Sequence, residues 1–331
     1  MKVLIVTPFK NFPGGVESYN QLIESILIKN GHEVEYLTTD GEVSTLLRLK
    51  SKVFGLPTIT ANRFCNIDSS IYDLIICNGE FNLGIEHPNV INIFHGSYIG
   101  LRDFTKSQIS LKYYLSLTWQ GALQVKDCAN KKIVTVSQFN ASQLRKQNII
   151  VSSILLNPVD TSKFKPVDHI DRSGILNVGT FKEWVKGFDL LKKLSFIRDD
   201  LTCVTDIRPD FNCRWIESTP DLDIVNIYQS HKIVVIPSRF ESASLVALEA
   251  MACGVPIVMN RVGYAFELEK EIEDFVMSPE DLNDGQKYHD RIEKILSNYD
   301  FYSTKAREYV MQYHSLEVFE KNFCKLVNDS K

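Results

Sequence analysis

The segment PSRFESASLVALEAMACGVP, residues 237–256, holds two glutamates, Glu241 and Glu249. Glu241 follows an apolar run and opens a loop whose next residues, Ser242, Ala243 and Ser244, are all small. Small side chains leave backbone amides open to surround phosphate oxygens. Glu249 sits among Leu245, Leu248 and Ala252 at helical spacing. A carboxylate in so apolar a run is costly to bury unless something pairs with it. Sugar and ribose hydroxyls are donors, and two carboxylates can accept from them in charge-assisted hydrogen bonds. The alternative is a pair of solvated surface charges, with Glu249 serving its own helix.

Three further places can carry chemistry. Gly14 and Gly15 lie between the first apolar run and the first helical pattern. Glycines let amides approach a ligand closely, and a helix start offers unpaired N–H groups to an anion. The same glycines can simply make the turn, and the GxGxxG pattern of a dinucleotide site is absent. Glu17, just inside that helix, is also favoured there by the helix terminus itself. His95 closes the run beginning at Val90, where an imidazole can donate to a hydroxyl, relay a proton or steady a leaving group. A purely structural histidine is the competing reading. Lys186 precedes Gly187 and offers a mobile positive charge to a phosphate, although most isolated Lys-Gly pairs are surface turns. No DxD pair, HExxH motif or close His/Cys grouping is present, so no metal and no cofactor is expected.

These residues need elements to hold them. Val3–Val6 is a short apolar run suited to a buried parallel strand, where alternation disappears because both faces are covered. Tyr19, Leu22, Ile23, Ile26 and Leu27 then recur at helical spacing up to Gly31, and Val34–Thr38 resumes as strand. Strands are predicted at 71–79, 90–96 and 131–137, with one long helix between about Thr105 and Cys128. KFKPVDHIDRSG, residues 163–174, is polar and turn-rich and is the expected domain boundary. Beyond it the alternation restarts: strands at 174–180, 201–206, 213–218, 231–238 and 255–260, and helices at 188–196, 222–229 and 247–254. Such alternation implies two α/β domains with parallel sheets, which bind ligands beyond the carboxyl ends of their strands.

A chain of 331 residues is long enough for two such domains, and 44% hydrophobic with 24% charged residues is a globular composition. The net charge of -4 makes no general case for nucleic-acid binding. Charge is uneven, however: 17 Lys/Arg against 13 Asp/Glu in residues 1–165, and 20 against 28 thereafter. A basic first half can rest near an anionic membrane or attract an anionic acceptor, and ordinary surface scatter accounts for it equally. The start MKVLIVTPFK lacks the long apolar region and cleavage site of a secretion signal, and no stretch approaches a membrane span. Seven scattered cysteines without a CxxC pair read as free thiols. The expected location is therefore cytoplasmic, with peripheral attachment at the cytoplasmic membrane face through the first domain left open.

Taken in order, FPGGVES (12–18), IFHG (93–96), TVSQF (135–139), NPVD (157–160), VGTFKEWVKGFDLL (178–191) and IVVIPSRFESASLVALEAMACGVPIV (233–258) resemble the retaining nucleotide-sugar glycosyltransferases of family 4. The resemblance implies a GT-B architecture, two Rossmann-like α/β domains with parallel sheets facing a central cleft. Residues 1–165 would be the acceptor-side domain, 171–305 the donor-binding domain, and 306–331 a helical tail returning towards the first. It also implies a nucleotide diphosphate sugar as donor and a sugar, lipid-linked or protein acceptor. Glu241 would meet hydroxyls of the transferred sugar, Glu249 the ribose, and the amides of Ser242–Leu245 the diphosphate, which Lys186 would neutralise. Gly14 and Gly15 would lie near the phosphates, His95 beside the donor sugar, and Glu17 near donor or acceptor. Two departures stand out. Thr180 replaces a customary arginine, so that Arg239 or Lys182 would have to supply its charge, and Ser244 replaces a customary glycine. The stretch 201–221 is also short. The competing functions are a nucleotide-sugar epimerase and a non-catalytic sugar-nucleotide-binding protein.

Overall fold

The structure is a computed structural model that describes residues 1–11, 14–167, 171–182 and 184–330. Phe12 and Pro13 of the first glycine motif, Asp168–Ile170 of the polar stretch and Glu183 lie outside the described residues. The chain forms two compact units: residues 1–136, 140–155 and 320–331 make the first, and 137–139 with 156–319 the second.

The first unit is built on six parallel strands: β1 (Lys2–Val6), β2 (Glu33–Leu37), β3 (Leu74–Asn78), β4 (Val90–Phe94), β5 (Lys132–Thr135) and β6 (Ser153–Ile154). Their spatial order is β2-β1-β3-β4-β5-β6. Every residue of β3 and β4 is buried, which is why these strands read as mostly apolar runs without alternation, broken only by the buried Asn78 and Asn92. The helix Gly15–Lys29 buries Tyr19, Ile23, Ile26 and Leu27, the expected stripe, together with Glu17 and Asn20. The single long helix expected near 105–128 is instead two, Tyr98–Thr105 and Leu111–Val125. Ser97 and Ser110 each cap a helix start with a side-chain oxygen, and those caps reset the chain where apolar spacing alone suggested continuity. Two more helices, Thr45–Phe54 and Pro57–Phe64, fill a stretch left unassigned in the sequence.

The second unit carries β7 (Ile175–Val178), β8 (Leu201–Thr205), β9 (Arg214–Glu217), β10 (Ile233–Ile236) and β11 (Ile257–Met259), all parallel, in the order β11-β10-β7-β8-β9. β8 and β9 are joined by residues 206–213 without a helix, so the shortness of 201–221 is real. Trp215 steadies that connection by donating from Nε1 to Thr205 Oγ1 at 3.1 Å.

The expected boundary at 163–174 falls inside the second unit. The chain leaves the first sheet directly after β6, and Val159 donates its amide to the His314 carbonyl at 2.8 Å. Val159 and Phe164 are buried in the second unit's core. The helix Tyr299–Tyr313 also stays there, burying Tyr302, Ala306, Tyr309 and Val310. The last helix, Leu316–Asn328, begins in the second unit, and its residues from Glu320 onward belong to the first. Within that first unit Lys29 pairs with Glu320 at 2.8 Å.

Candidate functional site

In the second sheet the chain order reverses between β7 and β10, so the loops after these two strands diverge and leave a crevice at their carboxyl ends. The loop after β7 carries Gly179 and Lys186; the loop after β10 carries Ser238 and Glu241. A small pocket is lined by these four together with Ser244 and Val246. The Arg239 amide donates to the Val185 carbonyl at 2.8 Å and ties the two loops together. Lys186 Nζ donates to Glu241 Oε1 at 3.0 Å. The other carboxylate oxygen, Oε2, is buried and has no hydrogen-bond partner among the described residues. A buried carboxylate oxygen without a donor is a costly arrangement, and a hydroxyl entering the pocket would relieve it.

Ser244 begins the helix Leu245–Ala252 with φ -96°, and its side-chain oxygen accepts from the Ala247 amide at 3.3 Å. That backbone angle suits any residue, so serine in place of glycine imposes no strain here and supplies a helix cap. The amides of Leu245 and Val246 remain as first-turn donors with no intrahelical acceptor. Ser242 is fixed through its carbonyl, which accepts from Ser137 Oγ at 2.5 Å. Ala243 packs against the core, and the Leu245 side chain is exposed. Glu249, two turns further along, does not line the pocket. Its Oε2 accepts from the Tyr228 hydroxyl at 2.8 Å. Burial raises the Glu249 carboxyl above the usual range, opposed by the Tyr228 bond and the positive charge of Lys163.

Arg239 is not the replacement cation that Thr180 calls for. Its guanidinium forks onto both carboxylate oxygens of Asp189, at 2.6 and 2.7 Å, and also bonds the Trp184 carbonyl and Asn283. A fork so occupied serves the fold. Lys182 is exposed on the loop before Lys186 and is the remaining candidate.

The first unit has its own switch point, between β1 and β3. Gly14 precedes the helix Gly15–Lys29 in extended backbone. A Cβ built on Gly15 meets no described residue within 4 Å, so packing among the described residues does not require glycine there. Glu17 is buried on the first turn. His95, at the end of β4, places Nε2 3.0 Å from Asn78 Oδ1. Asn78 donates to Asn20 Oδ1 at 3.1 Å, and Asn20 to Thr7 Oγ1 at 2.9 Å. This polar chain links the ends of β1, β3 and β4 and assigns the ring proton to Nε2, leaving Nδ1 as the acceptor. Tyr19 packs edge-on against the imidazole with centroids 4.7 Å apart. Asn78 and Asn20 were not singled out in the sequence, although a polar residue inside the apolar stripe at Asn20 was a usable signal.

Burial lowers the His95 imidazole from its usual 6.5 to about 4. Between those values the unfolded chain binds the extra proton, so stability present above pH 6.5 is progressively lost as pH falls towards 4. Thermal melts from pH 7 to 4.5 should cost the native chain about 2 kcal/mol more than His95→Gln. Parallel curves for the two proteins would exclude a neutral, buried His95.

The family model described as glycosyl transferases group 1 matches residues 209–313. The match includes Glu241, Ser242–Leu245 and Glu249 and stops short of Lys186, His95 and the Gly14–Gly15 pair. Among curated relatives, a D-inositol 3-phosphate glycosyltransferase of Saccharomonospora viridis is 56% identical over 41 residues. That alignment spans 12% of this chain and only 10% of the relative's length. Sucrose-phosphate synthase from Thermosynechococcus elongatus has a similar structure, with TM-score 0.74 and 17% identity, covering 99% of this chain and 98% of that one. Anabaena HepE, solved in complex with UDP and glucose, has TM-score 0.68 and 14% identity, covering 99% of each chain. The two parallel α/β units are thus those of a GT-B fold. Among the described residues no group of three or more His, Cys, Asp or Glu is placed to hold a metal ion.

Proposed function

We propose that this chain is a retaining glycosyltransferase, which moves a sugar from a nucleotide diphosphate sugar to a hydroxyl of a glycan, lipid-linked or other acceptor. The observation that carries the proposal is the buried, partnerless Oε2 of Glu241 beside the Lys186 ammonium at a sheet switch point. One group suits a sugar hydroxyl and the other a diphosphate, the two parts of such a donor. In this reading Lys186 and the amides at Ser242–Leu245 hold the diphosphate where negative charge grows, a fixed electrostatic arrangement that lowers the barrier. Glu241 accepts from hydroxyls of the transferred sugar, and Glu249 from the ribose. Gly14, Gly15 and His95 are the first unit's candidates for the phosphates and the donor sugar, with Glu17 beside them. The bond from the anomeric carbon to the leaving phosphate breaks as the acceptor oxygen bonds the same face. A leaving-phosphate oxygen takes the acceptor's proton, so the anomeric configuration is retained. The UDP in the HepE complex makes a uridine nucleotide the first donor to try.

The test offers UDP-, GDP-, ADP- and dTDP-sugars with sugar, lipid-linked and peptide acceptors, in excess EDTA. Acceptor-dependent release of nucleotide diphosphate and a product of unchanged anomeric configuration by NMR are expected. An altered nucleotide sugar formed without acceptor would make the chain an epimerase. Tight donor binding with no release under any acceptor would make it a binding protein. Activity abolished by EDTA and restored by Mg²⁺ would overturn the metal-free mechanism.

A further inference from the structure

Glu80 is a half-buried carboxylate in the short helical turn Gly79–Asn82, at the carboxyl end of β3 and two residues after Asn78. Its Oε1 accepts from the Tyr98 hydroxyl at 2.9 Å. Tyr98 opens the helix Tyr98–Thr105, three residues after His95. Glu80 and His95 are thus carried by the loops that follow β3 and β4, neighbouring strands of the first unit, at the edge where parallel sheets bind ligands. Both loops are braced. Asn82 and Asn92 each donate to the Gly79 carbonyl, at 2.9 and 3.0 Å. The buried Gln124 accepts from the Tyr98 amide at 3.1 Å and donates to the Gly96 carbonyl at 3.0 Å. A carboxylate held in this way is oriented before any ligand arrives, which lowers the cost of binding one.

No cation compensates this carboxylate. From Phe64 to Leu101 the chain contains no lysine or arginine, so β3, β4 and the loops after them have none. Arg102, the first beyond, forks onto Asp103 at 2.8 and 2.6 Å. Lys10, on the loop after β1, pairs with Glu24 at 3.1 Å. Burial raises the Glu80 carboxyl above the usual range, opposed by its own backbone amide and by Tyr98, with no cation acting on it. His95 adds no positive charge, because burial keeps its imidazole neutral down to about 4. Glu17, buried on the first turn after β1, adds a second carboxylate to the same edge of the sheet. A phosphate arriving here meets like charge and finds no counter-ion. A hydroxyl meets the opposite situation. Glu80 Oε2 has no side-chain partner among the described residues and can accept from it in a charge-assisted bond, which also relieves the carboxylate's poor solvation.

We propose that Glu80, oriented by Tyr98, is the acceptor contact that selects an uncharged, hydroxyl-rich sugar and turns away a phosphorylated one. The name acceptor rests on the glycosyltransferase reading, whereas sugar binding at Glu80 can be measured without turnover. Saturation-transfer NMR titrations on the full chain, with and without UDP, compare glucose, galactose, mannose and myo-inositol with their monophosphates. At least one neutral sugar should bind about tenfold or more tightly than its phosphate. Glu80→Gln should weaken that sugar by about tenfold or more and leave UDP affinity unchanged. Tyr98→Phe, which frees the carboxylate to turn, should weaken it by about threefold. Glu80→Lys should reverse the preference towards the phosphate, an outcome that loss of packing does not produce. In transfer assays Glu80→Gln should raise acceptor KM more than it lowers kcat. The proposal fails if no neutral sugar binds, if the phosphates bind as tightly, or if Glu80→Gln melts and binds as the native chain does. Sugar binding that depends on Glu80, with no nucleotide diphosphate released from any donor, would overturn the glycosyltransferase reading and leave Glu80 a sugar contact.

Discussion

Glu241→Ala is expected to slow sugar transfer by about 10²–10⁴-fold and leave affinity for the bare nucleotide diphosphate almost unchanged. The substitution removes a carboxylate that accepts from Lys186 at 3.0 Å and holds a second, partnerless oxygen in the pocket. Two charge-assisted bonds to sugar hydroxyls, at roughly 1.5–3 kcal/mol each, would strengthen as positive charge develops on the sugar. A term of that kind belongs to the transition state and lowers kcat more than it raises KM. The bare diphosphate has no sugar and, in the proposed arrangement, would meet Lys186, which the substitution leaves in the sequence. Glu249→Ala should behave in the opposite way. That carboxylate lies outside the pocket against Tyr228, and under the proposed ribose contact its loss should raise donor KM and weaken the bare diphosphate. Turnover and calorimetric binding of the diphosphate, measured on both variants after matching their melts, decide the matter. Near-normal turnover for Glu241→Ala, or equal loss of diphosphate affinity in both, would end the proposed division of labour.

Gly187→Ala should lower stability by about 2–4 kcal/mol, seen as a fall of roughly 5–15 °C in the second unit's melting transition. Gly187 adopts φ +72°, in the left-handed region, where a side chain is strained. A Cβ there would also stand 2.2 Å from the Pro237 carbonyl oxygen. At this point the loop after β7 crosses the loop after β10, so relief of the clash must part the loops and carry Lys186 away from Glu241. Loss of diphosphate binding should accompany loss of stability. Gly179→Ala is the control: its Cβ would meet no described residue within 4 Å, so stability should stay within about 0.5 kcal/mol of native. Equal melting of Gly187→Ala and the native chain, by scanning calorimetry, would mean that the loops do not cross so closely.

The sequence by itself determined the α/β class, the positions of most strands and the segment 237–256 as the place to look. Those features are local. A strand buried on both faces, such as Ile233–Ile236, is mostly apolar, and a helix on a sheet shows its stripe, so both are written in residue order. Helix ends were less legible where a serine cap interrupts an apolar pattern, as at Ser110. The domain boundary misled for a related reason. Residues 163–174 are polar and turn-rich, but the chain had already joined the second unit through Val159 and its partner His314, distant in sequence. Pairings of that kind are what only the tertiary structure decided. Lys186 and Glu241 are 55 residues apart and meet because β7 and β10 are neighbours at a switch point. Arg239 resembled a spare cation until Asp189 was seen to occupy its fork. His95 was an ordinary histidine by composition, and its ring is oriented by Asn78 and Asn20 from two other elements. Residue type sets what a group can do, whereas desolvation and partnering, which act through space, set what it does.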